Sequence, residues 1–359
     1  MSVQILVGDC LEQLRSLPSK SVHTCICSPP YFRLRDYNVK GQIGLETTPA
    51  AFVKKLVAVF REVHRVLRND GSLWVNMGDS YASTGGTSGR QSGKAFADRR
   101  RGEEDKCKSA RIKGSAVNRG GLKPKDLIGI PWMLAFALRD DGWYLRQDII
   151  WSKPNPMPES VKDRCTKSHE YFFLLTKSKR YYFDADSISE AASPNTHARV
   201  SQNVAKQAGS ARAHGGAKVM KAVVAAPPKT AVAEHRVKNN SSFHAAMTQV
   251  VERRAKRSVW TVASEPLKEA HFAAYPPSLI VPCVLASCPP GGVVLDPFGG
   301  AGTTALVAER LGRDSIIIEL NPKYAAMAQR RLKRDLARVS GADDQLGLDP
   351  LPLFDGRAA

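Results

Sequence analysis

Two kinds of apolar pattern alternate along the chain. Short, mainly apolar runs predict buried strands, and longer segments with apolar residues at every third or fourth position predict amphipathic helices. The segment 49–67 shows the second pattern, with apolar residues at 52, 53, 56, 57, 60, 63, 66 and 67. Strands are predicted at 3–7, 22–27, 72–77, 143–151, 171–176, 181–183, 293–295 and 315–319, and helices at 11–17, 49–67, 126–140, 278–287, 302–311 and 322–336. This alternation predicts an α/β fold with a mostly parallel sheet, in which 171–176 and 181–183 form a hairpin.

Periodicity is absent from two long segments. Residues 82–125 are dominated by Gly, Ser, Arg and Lys, and residues 190–257 are rich in Ala, Lys, Arg and His. The first composition is typical of a loop that is mobile or ordered by a ligand, and the second segment interrupts the α/β pattern as an insertion or small recognition module. We therefore predict one domain in two halves, 1–189 and 263–338, with an insertion at 190–262 and a C-terminal tail at 339–359.

Positive charge is concentrated in the same two segments. The 359 residues carry a formal net charge of +19, to which residues 83–125 contribute +8 and residues 195–257 contribute +10. The rest of the chain is almost neutral. A neutral body with two basic segments is typical of an enzyme that binds a polyanion, and we favour nucleic acid over a role in solubility, which would not require such concentration.

The remaining composition bears on location and metal content. Hydrophobic and charged residues, at 43% and 24%, are in the ordinary range of globular proteins. We find no apolar run long enough for a membrane span, and the N-terminus lacks the basic start and apolar core of a secretory signal. The seven cysteines include no Cys-x-x-Cys pair. We therefore expect a reduced, cytoplasmic protein without a metal.

A glycine-rich turn follows the predicted strand at 293–295. It reads Asp296-Pro297-Phe298-Gly299-Gly300-Ala301-Gly302-Thr303-Thr304, and its glycines let the backbone approach a ligand closely. The next predicted strand ends at Glu319, and an acidic residue at that place holds ribose hydroxyls in Rossmann-like sites. The turn has neither the Gly-Lys-Ser/Thr of a Walker loop nor the spacing of a dinucleotide site. The turn and the acid together predict a cofactor loop.

Ser28-Pro29-Pro30-Tyr31 follows the predicted strand at 22–27 and stands 268 residues before Asp296. Its two prolines stiffen a loop that ends in an aromatic ring. Taken alone, the string is more typical of a plain turn or of a polyproline-type partner motif. The cofactor loop elsewhere in the chain favours a catalytic loop instead.

Both strings resemble motifs of the S-adenosylmethionine-dependent DNA amino-methyltransferases, which modify N6 of adenine or N4 of cytosine. The family's catalytic signature is Asp, Asn or Ser, then Pro-Pro and an aromatic residue, as at 28–31. Further similar segments lie at 8–12, 17–18, 71–81, 149–155, 163–164, 169–170 and 271–276. Their order and spacing are consistent over about 3–183 and 268–335. The catalytic half comes first, which defines the β group of the family.

The resemblance implies a Rossmann-like methyltransferase fold with a mostly parallel seven-stranded sheet and an inserted basic DNA-recognition region. It also implies S-adenosylmethionine as cofactor, double-stranded DNA as partner and, as for many β-group relatives, a homodimer. The catalytic residues that it assigns are Ser28, Pro29, Pro30 and Tyr31. The cofactor residues that it assigns are Asp9, Cys10, His271, Phe272, Ala273, Tyr275, Asp296, Phe298, Gly299, Gly300, Gly302, Thr303, Thr304 and Glu319. Phe298 also fits a core position, and His271 also fits a structural histidine.

The catalytic string suits methyl transfer to an exocyclic amine. Such an amine is a poor nucleophile because its lone pair is delocalised into the base ring. The Ser28 hydroxyl and the Pro29 carbonyl would accept its N–H groups and favour a more tetrahedral nitrogen. Tyr31 would stack on a base turned out of the duplex. Transfer is then direct, without a covalent intermediate.

The target base is open between two alternatives. Serine at position 28 is more frequent in N4-cytosine enzymes, but the preceding Cys27 departs from the threonine common in that signature. Adenine is the commoner product of the family, and either amine needs only an acceptor. The sequence therefore favours N6-adenine slightly, with N4-cytosine as the alternative.

DNA contacts are expected from the two basic segments and from two residues near the catalytic motifs. Residues 190–257 occupy the family's target-recognition position, where arginine and asparagine suit base edges and lysine suits phosphates. The loop with three consecutive arginines at 99–101 is expected to clamp the DNA backbone. The DNA-binding residues that we predict are Arg99, Arg100, Arg101, Lys153, Arg164, Arg199, Arg212, Arg236, Asn239, Arg253 and Arg254.

Three other functions compete with this one. Pro282-Cys283 resembles the nucleophile pair of C5-cytosine methyltransferases, although its apolar helical surroundings favour a buried thiol. RNA and protein-glutamine amino-methyltransferases share the Pro-Pro-Tyr chemistry but usually run the cofactor half first. A non-catalytic DNA-binding protein that kept the fold is the alternative from a different class, and it would bind DNA without incorporating methyl groups.

Overall fold

The computed structural model describes residues 2–82, 121–192, 253–265 and 275–339. The chain divides into two compact units, one formed by residues 1–187 with 257–359 and the other by residues 188–256. The first unit contains a large sheet and the described helices. In the second unit the described residues form a small two-stranded sheet.

The described residues form ten strands and six helices. The strands are β1 (Val3–Val7), β2 (Val22–Cys27), β3 (Leu67–Met77), β4 (Tyr144–Ser152), β5 (His169–Thr176), β6 (Glu190–Ala191), β7 (Arg253–Arg254), β8 (Val259–Thr261), β9 (Val293–Asp296) and β10 (Asp314–Glu319). The helices are α1 (Cys10–Ser16), α2 (Pro49–Val66), α3 (Ile130–Asp140), α4 (Pro277–Ser287), α5 (Thr303–Arg310) and α6 (Pro322–Val339).

The large sheet has eight strands in the order β1–β10–β9–β2–β3–β5–β4–β8. Neighbouring strands are parallel except at β5, which is antiparallel to both β3 and β4. β6 and β7 pair separately, in antiparallel fashion. The α/β class and the mostly parallel sheet are therefore as the sequence predicts.

The amphipathic pattern of α2 explains its packing. Phe52, Leu56, Phe60 and Val63 are fully buried, at the helical spacing seen in the sequence, and belong to the same core cluster as Leu73 of β3. Caps determine where the helices begin. The Thr48 hydroxyl accepts a hydrogen bond from Ala51 N at 3.1 Å, ahead of the proline that opens α2.

Three details differ from the sequence prediction. The sheet has an eighth strand, β8, whose three residues are too short to produce a readable alternation and which pairs with β4. Residues 181–183 are not a strand, and the predicted hairpin is wrong because β5 pairs on one side with β3 and on the other with β4. The third helix begins at Ile130 rather than at 126, next to Pro131, which suits a first helical turn.

The strand order brings distant parts of the chain together at the carboxyl ends of the parallel strands. β2 and β9 are neighbours, with Thr24 opposite Val294 and Cys25 opposite Leu295. The chain runs from β9 to β10 on one side and from β2 to β3 on the other, so the connections diverge between β2 and β9. Open α/β sheets bind ligands at the carboxyl ends of strands around such a point. Because β5 is antiparallel, its amino end with Glu170 lies beside the carboxyl ends of the other strands.

Two further properties concern the described residues as a whole. None of the helices within these ranges has the length and apolar character to cross a membrane. No group of three or more His, Cys, Asp or Glu side chains in the same ranges could hold a metal ion.

Candidate active site

A pocket that is open to solvent lies at the carboxyl ends of β1, β9 and β10. The lining residues are Gly8, Asp9, Cys10, Gly41, Ile43, Pro297, Phe298, Ile318, Glu319 and Leu320. Asp9, Cys10, Phe298 and Glu319 are thereby brought together as predicted cofactor residues. Gly41 and Ile43 belong to the loop after the catalytic string, which our sequence reasoning did not assign to this site.

Glu319 lines the pocket with a carboxylate that the backbone orients. Its Oε2 accepts a hydrogen bond from Gly300 N and its Oε1 accepts one from Asn321 N, each at 2.8 Å. Burial raises the pKa of this carboxyl, and the backbone hydrogen bonds act in the opposite direction. An ionised carboxylate can accept about four hydrogen bonds, so Glu319 keeps acceptor capacity for ligand hydroxyls.

Asp9 also lines the pocket, and it caps α1. Its Oδ1 accepts hydrogen bonds from Leu11 N at 2.9 Å and Glu12 N at 3.2 Å. The neighbouring Cys10 is buried, and burial raises the pKa of its thiol to about 12. Cys10 therefore contributes an uncharged wall to the pocket.

The glycine turn packs tightly against α6. Gly302, just before α5, has a φ of +74°, and a Cβ placed on it would lie 2.9 Å from the Cβ of Ala328. The residue needs both a left-handed backbone and no side chain, which glycine alone supplies without strain. Gly299 and Gly300 precede it in the turn, where Gly299 N donates to Ile318 O at 2.8 Å. The turn is thereby fixed against β10.

Asp296, Tyr275 and Thr304 form a buried polar cluster behind the turn. The Asp296 carboxylate accepts hydrogen bonds from Thr304 Oγ1 at 2.5 Å, from Phe298 N at 2.9 Å and from the Tyr275 hydroxyl at 3.3 Å. Burial raises the pKa of Asp296 to about 6, although the Thr304 hydroxyl counteracts the rise. The sequence predicts all three residues for the cofactor site. In the structure they hydrogen-bond one another and hold the shape of the turn.

Arg331 of α6 also supports the turn. Its guanidinium donates to the Thr303 hydroxyl at 2.8 Å and to the Ala301 carbonyl at 3.1 Å. Burial lowers the pKa of Arg331. Nothing in the local sequence separates this arginine from the other basic residues of α6, so sequence reasoning did not find it.

The catalytic string follows β2 and stands next to the cofactor turn, because β2 pairs with β9. Pro29 is buried, while Ser28, Pro30 and Tyr31 are half-buried. The Tyr31 ring lies against Gly78, where a Cβ would come within 2.5 Å of Tyr31 Cε2. The ring of Tyr31 is therefore packed closely against the end of β3.

The Tyr31 hydroxyl belongs to a polar network that the sequence analysis did not predict. It donates to Glu170 Oε2 at 2.6 Å and also faces Asn76 Oδ1 at 3.2 Å. Lys153 Nζ donates to Glu170 Oε1 and lies 4.1 Å from the centre of the Trp151 ring. Burial, followed by the charge of Glu170, raises the pKa of Tyr31 well above its usual value.

The described residues that we predict to bind DNA have protein partners. Lys153 is paired with Glu170, and its predicted DNA contact stays a prediction. Arg164 pairs with Glu159 at 2.6 Å and stacks on the Tyr81 ring at 4.0 Å. In the smaller unit, Arg253 donates to Ser189 Oγ at 2.5 Å, and Arg254 lies 3.6 Å from a Glu190 oxygen. The base contacts predicted for Arg253 and Arg254 stay predictions.

Several predicted site residues lie outside the described ranges. They are Arg99, Arg100 and Arg101 of the first basic segment, Arg199, Arg212, Arg236 and Asn239 of the second, and the cofactor residues His271, Phe272 and Ala273. Their assignments rest on the sequence alone. Cys283, the candidate nucleophile of the competing C5 chemistry, is fully buried inside α4. Its thiol cannot reach a base in this structure.

Comparison with known proteins agrees with this geometry. Residues 22–330 match the sequence model of a DNA methylase family of N6 and N4 amino-methyltransferases. The type II methyltransferase M.SmaI of Serratia marcescens is 41% identical over 333 residues, which cover 93% of this chain and 91% of that protein. The type II methyltransferase M.Cfr9I of Citrobacter freundii is 42% identical over 333 residues, covering 92% of this chain and 88% of that protein.

Solved structures confirm the Rossmann-like methyltransferase fold. The PvuII DNA methyltransferase, described as cytosine-N4-specific, superposes with a TM-score of 0.56 at 16% identity, over 95% of this chain and 93% of its own. The TTHA0409 protein of Thermus thermophilus, complexed with S-adenosyl-L-methionine, gives a TM-score of 0.51 at 23% identity, over 92% of this chain and 93% of its own. The extent of the family match and the identity to the type II enzymes show that the chain belongs to the DNA methylase family, whose members transfer a methyl group from S-adenosylmethionine to an exocyclic amine of DNA.

Proposed function

We propose that this protein methylates the exocyclic amine of a base turned out of duplex DNA, at a specific site. The observation that carries the proposal is the pairing of β2 with β9, which sets the Ser28 string beside the cofactor turn at the switch point of the sheet. An amine and a methyl donor must meet within contact distance for direct transfer. The neighbouring loops of these two strands are where such a meeting can take place.

The pocket residues fit S-adenosylmethionine by their chemistry. Glu319 has acceptor capacity for the ribose hydroxyls, and Phe298, Ile43 and Ile318 supply apolar surface for the adenine. Asp9 adds a second carboxylate to the lining. When bound, S-adenosylmethionine supplies an electrophilic methyl group. The protein holds it with a turn whose shape is maintained by the Asp296 cluster and Arg331.

The catalytic string prepares the amine. The Ser28 hydroxyl and the Pro29 carbonyl accept its N–H groups, which draws the nitrogen towards a tetrahedral shape and makes its lone pair available. The prolines keep the carbonyl in position before the base arrives. Tyr31, whose ring is supported by Gly78, offers a face on which the extruded base stacks.

The target within this proposal is N6 of adenine first and N4 of cytosine second. Ser28 is more frequent in N4-cytosine enzymes, but Cys27 departs from their signature and adenine is the commoner product of the family. Both amines would meet the same two acceptors. Residues 190–262 would select the site on duplex DNA, and the type II relatives suggest a role in restriction–modification. We also keep the homodimer as a proposal.

Methyl transfer is tested with the purified full chain, tritiated S-adenosylmethionine and a DNA library of diverse sequence, followed by nucleoside digestion and mass spectrometry. We expect radioactivity in DNA and one new nucleoside, N6-methyladenosine or N4-methylcytidine in its deoxy form. Ser28→Ala should lower the rate by at least about a hundredfold, as removal of a transition-state hydrogen-bond partner does. Ser16→Ala, which changes an exposed hydroxyl on α1, is the matched control.

The outcomes separate the competing functions. A C5-methylated cytosine would refute amine transfer and direct attention back to Cys283. DNA binding without any methyl incorporation would support the non-catalytic alternative. An N4-methylated product would keep the proposed chemistry and correct the base.

A further inference from the structure

The stretch of chain that follows the catalytic string stays beside it. Residues 33–46, which we call the bridging segment, lie between the string and α2. Near its middle, Gly41 and Ile43 line the cofactor pocket. The segment also folds back on its own start, because Arg33 N donates to the Gly44 carbonyl at 2.7 Å. One short stretch of backbone therefore runs from the string to the pocket and back.

Gly44 brings the bridging segment against the catalytic string. A Cβ placed on Gly44 would lie 3.2 Å from the Tyr31 carbonyl oxygen and 3.5 Å from the Cβ of Pro30. Its φ of +109° is a conformation that favours glycine. Its N–H donates to Glu46 Oε2 at 2.8 Å, and Glu46 pairs with Lys55 of α2 at 3.1 Å. The string side of the segment is thereby tied to the catalytic half of the chain.

Gln42, between the two pocket residues, holds the bridging segment in shape. The residue is only 8% exposed. Its Oε1 accepts a hydrogen bond from Tyr37 N at 2.8 Å, and its Nε2 donates to the Arg35 carbonyl at 3.3 Å. A backbone N–H can only donate, so the amide oxygen must face Tyr37 and the amide nitrogen must face Arg35. One buried side chain thus closes the segment on itself and fixes the backbone that carries the pocket residues.

The pocket side of the bridging segment rests on α6. The ring of Tyr37 lies edge-on to the ring of Tyr324, with 6.3 Å between the centroids and an interplanar angle of 87°. Tyr324 is buried in the first turn of α6, and Glu319, which lines the pocket, ends the strand before that helix. The segment therefore contacts the cofactor half of the chain on one side and the catalytic half on the other.

We propose that the bridging segment is a wall shared by the two substrate subsites, and that Gln42 is the positioning residue that maintains it. A ligand in the pocket contacts Gly41 and Ile43, and through the backbone of the segment it restricts the catalytic string. Once one ligand has ordered the wall, the second ligand loses less conformational entropy on binding. The coupling is reciprocal, so DNA strengthens cofactor binding by the same factor. This inference rests on the proposed function and deepens it.

The coupling is measured as the change in DNA affinity on saturation with S-adenosylhomocysteine, the product that occupies the pocket without reacting. Fluorescence anisotropy is recorded on the full chain with a duplex that carries a site methylated in the library experiment. We expect S-adenosylhomocysteine to strengthen DNA binding by wild type at least about fivefold. Calorimetric titration of S-adenosylhomocysteine with and without the duplex should give the same factor.

Gln42→Met keeps the approximate size of the side chain but removes both of its hydrogen bonds. We expect S-adenosylhomocysteine to bind about tenfold more weakly and the coupling factor to fall to about one. DNA affinity without S-adenosylhomocysteine should stay within about twofold of wild type, because phosphate contacts dominate it. Gln329→Met makes the same change at an exposed glutamine of α6 and should keep the wild-type factor.

Gly44→Ala disturbs the other side of the wall, because alanine is strained at this φ and crowds the Tyr31 carbonyl. It should abolish the coupling while S-adenosylhomocysteine alone binds within about threefold of wild type. If Gln42→Met binds no S-adenosylhomocysteine, the pocket side of the wall is supported and Gly44→Ala decides the coupling.

The remaining outcomes have distinct meanings. A wild type without coupling, either wall variant with the wild-type factor, or an equal loss in Gln329→Met would overturn the inference. A wild type that methylates no DNA would refute the proposed function instead. Methylation without coupling would leave the proposed function intact and remove only the shared wall.

Discussion

At the scale of single residues, Gly78 shows how a small side chain can matter to catalysis. It comes directly after β3 and lies against the ring of Tyr31. A Cβ at this position would come within 2.5 Å of Tyr31 Cε2 and 3.1 Å of Tyr31 Cδ2. A rigid ring cannot bend away from such an atom as a flexible side chain would, so the whole residue would have to move.

We therefore expect Gly78→Ala to disturb the stacking face and the hydroxyl of Tyr31 together. The rate of methylation should fall by at least about tenfold, and unfolding should be easier by about 1–3 kcal/mol because of the overpacking. Single-turnover rates and thermal denaturation measure the two effects. Ser16→Ala, at an exposed side chain of α1, is the control for a small substitution away from Tyr31. An unaffected rate in Gly78→Ala would contradict the role of this contact.

Asp296 leads to a prediction about pH. Burial raises its pKa from 3.8 in the unfolded chain to about 6 in the folded protein. The folded state thus holds this proton more tightly, so the contribution of Asp296 to stability is full below pH 3.8 and is lost as the pH rises through 6. The difference between the two pKa values corresponds to about 3 kcal/mol.

The measurement compares wild type with Asp296→Asn, which does not titrate. We expect the unfolding free energy of wild type, relative to the variant, to fall by about 2.4 kcal/mol between about pH 4 and pH 7. Urea unfolding followed by circular dichroism at several pH values gives this difference. Asp140→Asn, at a side chain that is 72% exposed, is the control. A difference that stays constant across this range would argue against a raised pKa.

At the scale of elements, α6 acts as a support for the cofactor turn. Its Arg331 reaches Ala301 O and Thr303 Oγ1, and its Ala328 leaves room for Gly302. The helix also pairs with α5 through Arg310 and Asp335. The shape of the turn is therefore imposed partly from outside its own sequence.

Arg331→Met should loosen the cofactor turn while keeping much of the apolar packing of the arginine side-chain methylenes. We expect binding of S-adenosylmethionine to weaken by about tenfold, in line with the loss of hydrogen bonds to a charged group, and DNA affinity to be unchanged. Isothermal titration calorimetry with the cofactor and fluorescence anisotropy with DNA provide the two values. Arg330→Met changes the exposed neighbour on the same helix and should bind the cofactor normally. Equal losses in both variants would rule out a specific support by Arg331.

The elements also show what can be learned from sequence. The amphipathic spacing of α2 and the run of β2 are read correctly because local side-chain patterns determine them. The hairpin of 171–176 with 181–183 is predicted from local apolar residues. The strands with which β5 pairs, however, depend on the strand order of the whole sheet. The contact of Tyr31 with Glu170 spans 139 residues of chain and depends on β5 being antiparallel, which no local pattern reveals. Motifs identify the loops of the site, and strand order supplies the network behind them.

At the scale of the whole molecule, the distribution of charge governs the expected binding to DNA. The two basic segments hold almost all of the +19 net charge, while the rest of the chain is nearly neutral. Contacts to phosphates release counterions and make affinity depend on salt. A basic segment that touches the backbone should therefore be detectable from the salt dependence alone.

Replacing Arg99, Arg100 and Arg101 by alanine should weaken DNA binding and reduce the slope of log Kd against log salt by up to about three. The slope is measured by anisotropy between low and moderate salt with one DNA duplex. Alanine at Lys54, Arg330 and Lys333, three exposed residues of α2 and α6, removes the same charge elsewhere and is the control. A slope that is the same in both triple variants would mean that the arginine triplet does not contact the backbone.

The neighbourhood of β2 and β9 also has a consequence for biosynthesis. Their central ladder joins residues 24–25 to residues 294–295, so it closes a very long stretch of polypeptide. Contacts between residues so far apart in sequence form late, because closing the intervening chain costs conformational entropy before the contacts stabilise the fold. During translation at about 5–20 residues per second, the first strands wait roughly 15–50 seconds for their partner to be made. A nascent chain that stops short of β9 has its serine loop but lacks the neighbouring strand and the cofactor turn, so we expect such an incomplete chain to transfer no methyl group.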